Sequence, residues 1–237
     1  MGYWGMNESY YISHNSESYG FVVGKILDVN LIPRYAEVVD LVRYLGKDGW
    51  LRFCSRFSLF NVETFEFVVA LSSVLRKLPD PKVEVCAGRG KLSFWLRKFG
   101  VDIIATDDYS WRLWGERICV EKMSIEEALE VYAPSTVIGS WIPANEGYGV
   151  KILRFHSVRY FLDIGEGPSA ESSWMHAINL TDLRVFARRY GYTPIFLPLA
   201  RWAIAQTDEP TPWGISMKTK VILFVRWDED PRCILKF

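Results

Sequence analysis

The chain has 237 residues, 49% of them hydrophobic, which is enough for one large domain with a buried core. Its 28 basic and 28 acidic side chains cancel, so no net field steers it toward nucleic acid or an anionic membrane, and nucleic acid is not indicated as a partner. The four cysteines and three histidines are scattered without metal-ligand spacing, which excludes a zinc signature and a disulfide framework.

The N-terminus shows no basic segment followed by an apolar core, and no apolar run approaches the ~20 residues that span a bilayer. A soluble, cytoplasmic protein with reduced cysteines is the expectation. Residues 1–32 are rich in Tyr, Ser, Asn and Gly, with a strand-like Phe21-Val22-Val23. After Pro33, Val38, Leu41, Val42 and Leu45 recur at helical spacing, and Gly46 ends the pattern. The spacing of Val68, Leu71, Leu75 and Leu78 predicts a second helix, with Asn61 as its N-cap and Pro79-Asp80-Pro81 as its stop. This punctuation divides an N-terminal cap, 1–80, from a main domain, 81–237.

From Lys82 the rhythm changes. Strand-like runs at Val83–Cys86, Ile103–Thr106, Ile118–Val120, Thr136–Gly139 and Tyr160–Ile164 alternate with helical patterns. One of these carries Leu92, Trp95, Leu96 and Phe99 on a single face, and another opens with the capping box Ser124-Ile125-Glu126-Glu127. Such alternation predicts an α/β fold with a parallel sheet covered by helices on both faces. The ending departs from it. A helix from Thr181 to Gly191 is followed by two strand-like runs, Ile195–Leu199 and Val221–Val225, joined by a loop at Asp208–Gly214. Parallel neighbours need a crossover, so these runs predict an antiparallel pair at the sheet edge.

The most informative segment is Val83-Glu84-Val85-Cys86-Ala87-Gly88-Arg89-Gly90-Lys91-Leu92, a strand that enters a glycine turn and then a helix. Glycines admit close backbone approach by a ligand, and a helix N-terminus offers free amides. Asp107 ends the next strand, where a carboxylate can accept from both hydroxyls of a ribose. Glu84 disfavours a neighbouring pyrophosphate and suits an ammonium or sulfonium. Two phosphate motifs fit poorly. Leu92 stands where a P-loop requires Ser or Thr, and Cys86 and Ser93 stand where a dinucleotide fingerprint requires glycine and Gly or Ala.

Val83–Leu92 followed by Val101–Asp107 resembles the first two motifs of class I S-adenosylmethionine-dependent methyltransferases, and the resemblance extends over about residues 82–226. Glu84, Gly88 and Gly90 match the opening motif, with Cys86 in place of its first glycine. Asp107 matches the acidic ribose clamp, and Met123 stands where an adenine-binding Asp is common. The resemblance implies a three-layer sandwich with a mostly parallel seven-stranded sheet and an antiparallel last strand, beneath a small N-terminal helical cap. It implies S-adenosyl-L-methionine as cofactor, held by Glu84, Ala87, Gly88, Gly90, Asp107, Asp108, Met123, Ser124, Ser140 and Trp141.

Methyl transfer is a displacement in which the protein mainly aligns donor and acceptor, so no invariant catalytic set is expected. Glu166, in the glycine-flanked turn after Tyr160–Ile164, is the candidate general base or substrate grip, with a solvated turn carboxylate as the alternative. Trp141 is a candidate for stacking on adenine or substrate. Ser140-Trp141-Ile142-Pro143 lacks the proline pair and final aromatic of amino-methylating enzymes, so nucleobase methylation does not follow from it. The leading expectation is methyl transfer to an unidentified acceptor; the rival is a cofactor-binding or interaction module that keeps the fold without catalysis.

Overall fold

The computed structural model describes residues 17–143, 147–165, 180–216 and 218–229. In chain order its elements are α1 (Glu17–Leu27), α2 (Tyr35–Arg56), β1 (Asn61–Val62), α3 (Phe65–Leu75), β2 (Lys82–Val85), α4 (Lys91–Lys98), β3 (Ile104–Asp107), β4 (Val120–Lys122), α5 (Ile125–Tyr132), β5 (Thr136–Ser140) and α6 (Tyr148–Arg154). There follow β6 (Tyr160–Gly165), α7 (Leu180–Arg189), β7 (Tyr192–Phe196), a single-turn helix at Pro198–Trp202, β8 (Ile204–Ala205), β9 (Pro210–Thr211), β10 (Gly214–Ile215) and β11 (Lys220–Arg226).

Seven strands form one sheet in the order β4-β3-β2-β5-β6-β11-β7. The five from β4 to β6 are parallel, and β11 runs antiparallel to both β6 and β7. The expected antiparallel pair is therefore present at the sheet edge, formed by β11 and β7, with the reversed last strand one place in. It inserts between β6 and β7, and β7 is the edge. Local pattern alone reports that two strands lack a crossover helix; the side on which the second one docks is set by the rest of the sheet.

Alternation along the strands sorts the core into two layers. Val83, Val85, Val137, Phe161, Ile222 and Phe224 face α5, α6 and α7, whereas Ile138, Leu162, Ile164 and Leu223 face α3 and α4. Covering both faces buries β2 and β6 along their whole length and β5 up to its last residue. A third cluster joins α1 and α2 to β1 and β8 through Val22, Ile26, Val38, Trp50, Phe53 and Ile204. β1 pairs antiparallel with β8, and Trp50 Nε1 donates to the Ala205 carbonyl at 2.8 Å.

Local differences from the sequence reading have physical causes. Phe21–Val23 is helical, because Val22 and Ile26 lie one turn apart and bury together against α2. Gly46 does break the helical pattern, with φ 67° and ψ 174°, yet the chain resumes helix through Arg56. Asn61 belongs to β1; the cap of α3 is Thr64, whose hydroxyl accepts from the Phe67 amide at 3.2 Å and donates to the Trp202 carbonyl at 2.9 Å. The third parallel strand starts at Val120 rather than Ile118, and the last two begin at Tyr192 and Lys220. The segment read as a loop at Asp208–Gly214 contains most of the β9–β10 hairpin, and α6 lies between β5 and β6, in keeping with the strand–helix alternation. Among the described residues no helix is long and apolar enough to cross a membrane.

Candidate functional site

The C-terminal ends of β2, β3, β4 and β5 lie side by side, so the turns that leave them converge. The turn after β2 takes left-handed backbone at three alternating positions: Cys86 (φ 52°), Gly88 (φ 57°) and Gly90 (φ 78°). Cys86 thus takes a conformation that favours glycine, at a cost of roughly 1–2 kcal/mol for a residue with a Cβ. Its thiol is pushed up to about 12 by burial and by the carboxylates of Asp107 and Asp108, which favours the protonated form. At Gly90 a side chain is excluded: a Cβ would lie 2.4 Å from Val120 Cγ2 and 2.7 Å from the Ile118 carbonyl oxygen.

The turn is bound to its neighbouring strand. The Ala87 amide donates to the Thr106 carbonyl at 3.0 Å, and the Gly88 amide donates to Asp107 Oδ2 at 2.9 Å. Asp107 Oδ1 accepts from the Tyr109 amide at 2.9 Å, and Arg117 lies 3.7 Å away. Each carboxylate oxygen has two acceptor sites, so one on each remains after the backbone bonds. Asp108 is turned to solvent, where Oδ1 accepts from the Ser110 amide at 2.8 Å. Against partial burial, the amide and hydroxyl of Ser110 hold its carboxyl below the usual range.

Glu84, the carboxylate suited to an ammonium or sulfonium, lies on β2 just before the glycine turn. It is only 2% exposed, on the α4 face of β2, and its carboxylate accepts from the Ser93 hydroxyl. Burial raises it to about 7; the hydroxyl and amide of Ser93 oppose that rise, and the nearby charge of Glu63 adds to it. Ser93 is in the first turn of α4, so Glu84 also satisfies the free donors and positive end of that helix. Ser124 similarly caps α5: its hydroxyl accepts from the Glu127 amide at 3.2 Å, and Glu127 accepts from the Ser124 amide at 2.8 Å. The Met123 amide donates to the Asp107 carbonyl at 3.1 Å, which brings β4 against the end of β3.

At the end of β5, Ser140 pairs with Ile164, and the Trp141 amide donates to the Ile164 carbonyl at 2.8 Å. Trp141 has φ 58°, is 6% exposed, and its Nε1 has no hydrogen-bond partner among the described residues. A buried unpartnered donor costs about 1–3 kcal/mol, which a ligand acceptor can recover. The ring of Phe60 stacks on Trp141 at 6.2 Å, and Trp111 lies 5.5 Å from Phe60. Glu166 lies outside the described residues.

Several neighbours carry no sequence signal. Lys91, the first residue of α4, is 7% exposed and donates to the carbonyls of Ile26 at 2.6 Å and Lys25 at 3.1 Å. Burial lowers it to about 8. Arg89 reaches the Leu27 carbonyl at 3.5 Å and stands over the Trp114 ring. Both basic groups of the glycine turn therefore hold the C-terminal carbonyls of α1, a favourable meeting with the negative end of a helix. Glu63, from the cap, is raised by burial, with Lys91 and Arg89 pulling the other way. Only the Gly-Lys pair of the turn hinted at such a group, and there it was weighed for phosphate.

No family model matches the sequence, and no curated protein matches it. Solved structures do. A magnesium protoporphyrin IX methyltransferase from Synechocystis PCC 6803 with bound S-adenosylhomocysteine is 13% identical over 78% of this chain and 97% of its own, with a TM-score of 0.44. A 1,6-didemethyltoxoflavin-N1-methyltransferase from Burkholderia thailandensis is 15% identical over 68% and 78% of the two chains, with a TM-score of 0.43. Human N-acetylserotonin methyltransferase in complex with the methyl donor is 12% identical over 91% and 68%, with a TM-score of 0.41.

Proposed function

We propose that the protein is an S-adenosylmethionine-dependent methyltransferase acting on an acceptor bound beneath its N-terminal segment. One observation carries the reading: the glycine turn and the ribose-clamp position are a single hydrogen-bonded unit, Gly88 to Asp107, at the end of adjacent parallel strands. The chain's residues fit the cofactor on two further counts. Asp107 retains acceptor capacity for two ribose hydroxyls, and the Trp141 indole at the end of β5 is a donor without a partner among the described residues.

In this reading Gly88 and Gly90 let the backbone approach the methionine portion, Asp107 orients the ribose, and Trp141 with Phe60 walls the transfer site. When bound, S-adenosylmethionine supplies the methyl group: an acceptor lone pair forms the new bond to carbon while the S–CH3 pair stays on sulfur, leaving S-adenosylhomocysteine. The protein excludes water and aligns the acceptor. Glu166, which directly follows Gly165 at the end of β6, is the proposed group to take a proton from the acceptor.

Calorimetry with S-adenosylmethionine and S-adenosylhomocysteine tests the proposal. Saturable binding of both, weakened strongly in Asp107→Ala, is expected. Absence of heat with either ligand would end the reading. Binding without transfer of a labelled methyl group to any acceptor class would favour a cofactor-binding module instead.

A further inference from the structure

Beside the proposed transfer site the structure forms a cleft of about 360 Å³, between the second half of α2, the chain leading into β1, and the loop after β3. Its position relative to that site is set by two contacts. Leu113, on its wall, lies 3.3 Å from where a Cβ of Gly88 would stand, and Phe60, also on its wall, stacks on Trp141. Through these two side chains the wall of the cleft touches the glycine turn and the end of β5, and neither of those elements lines the cleft itself. Its volume is at the small end of the range for organic-ligand pockets, too little for a macrocycle or a folded segment of protein.

The lining is asymmetric in chemistry. Phe60 and Trp111 meet at 5.5 Å to make an aromatic wall, and Trp111 is 42% exposed, so its ring is open to a ligand. Arg112 is the one charged residue among the described residues that line the cleft, and it has no ion pair with any of them. Ser58 and Gln206 add neutral polar groups. Asp208, whose charge acts on Cys54 of the wall, accepts from the amides of Ala205 and Lys218 at 3.0 and 3.1 Å.

We infer that this cleft binds a small planar aromatic molecule carrying an anionic group, its ring against Phe60 and Trp111 and its charge on Arg112. This rests on the methyltransferase reading only in making that molecule the methyl acceptor; the binding stands on the cleft itself. An exposed guanidinium without an acidic partner among the described residues favours an anion and repels a cationic amine.

Three probes separate the terms: quinaldate, its neutral amide quinaldamide, and non-aromatic cyclohexanecarboxylate, each titrated calorimetrically into the full chain. Quinaldate is expected to bind one to one, with the other two weaker by about tenfold. Arg112→Gln removes the preference for quinaldate over its amide, and Trp111→Ala weakens both aromatic probes; both positions are exposed, so folding is expected to persist and is checked by circular dichroism. Failure of quinaldate to bind, equal binding of the amide, or binding indifferent to both substitutions overturns the inference. Cofactor titrations run in parallel keep the two ideas apart. Quinaldate binding without cofactor binding supports the cleft and removes its role as acceptor site; cofactor binding without quinaldate binding overturns the cleft and leaves the methyltransferase reading standing.

Discussion

The carboxylate of Asp107 accepts the amide hydrogen of Gly88 at 2.9 Å, so one side chain at the end of β3 both shapes the glycine turn and faces the site proposed for a ribose. Its other oxygen accepts from the Tyr109 amide, also at 2.9 Å. Asp107→Ala removes both acceptors and leaves two part-buried amides unsatisfied, a loss of about 1–3 kcal/mol. Asp107→Asn keeps one oxygen acceptor and is expected to recover part of that stability. Both are expected to lose at least ~10-fold in affinity for S-adenosylhomocysteine, since a neutral amide cannot accept from two hydroxyls as a carboxylate does. Denaturant unfolding and calorimetry on the same samples separate the two effects. Full affinity in Asp107→Ala would remove this residue from the ribose.

Glu84 makes stability depend on pH in a direction opposite to most surface carboxylates. Its folded-state value is about 7, against 4.5 for the unfolded chain. The folded state therefore holds a proton that the unfolded state releases, and the stabilisation is complete below pH 4.5 and lost as pH rises through 7. The loss is of order 3 kcal/mol for a group this deeply buried. Glu84→Gln is expected to flatten much of that slope, leaving the part owed to Glu63, which is also raised. Urea unfolding at acid, neutral and mildly basic pH measures it; an unchanged slope would place the titration elsewhere.

What the sequence made legible was local. The glycine turn, Asp107 at the next strand end and the Ser124 capping box are each written within a few residues, and each occupies its expected element. Long-range events were not legible. The insertion of β11 between β6 and β7 depends on which edge is open, a property no window of sequence contains. Phe60 meets Trp111 and Trp141 from 51 and 81 positions away in sequence (111 − 60 and 141 − 60), and Lys91 binds carbonyls 65 and 66 positions earlier. Even within the turn, spacing could not tell that Glu84 would bury itself against Ser93 rather than face outward.

Gly88 and Gly90 share left-handed backbone but differ in their surroundings, which makes them a matched pair. Alanine at Gly88 would place its Cβ 3.3 Å from Leu113 Cδ1, the movable end of a side chain. Alanine at Gly90 would strike the backbone oxygen of Ile118 at 2.7 Å. Gly88→Ala is therefore expected to cost roughly 1–2 kcal/mol, the strain of the backbone alone. Gly90→Ala is expected to cost roughly 3 kcal/mol or more, since the approach to β4 must shift as well. Equal losses on thermal unfolding would show that conformation, not contact, dominates both sites.

Lys91 ties the glycine turn to the N-terminal helix, and cutting that tie is expected to loosen one without unfolding the other. Its ammonium meets the carbonyls of Lys25 and Ile26 at the end of α1, where the helix has unpaired acceptors and its negative pole. Methionine preserves the apolar stem and removes the donors, so Lys91→Met removes the tie while keeping most of the packing. The central sheet is held by the two apolar layers on its faces, neither of which includes Lys91. The expected result is faster amide exchange through α1 and faster tryptic cleavage at Lys25, with exchange in β2, β5 and β6 unchanged. Arg89→Met is expected to act in the same direction but less strongly, because its contacts to the Leu27 carbonyl are at 3.5 Å. Uniform acceleration across α1 and the sheet would mean that Lys91 supports the whole domain rather than this one attachment.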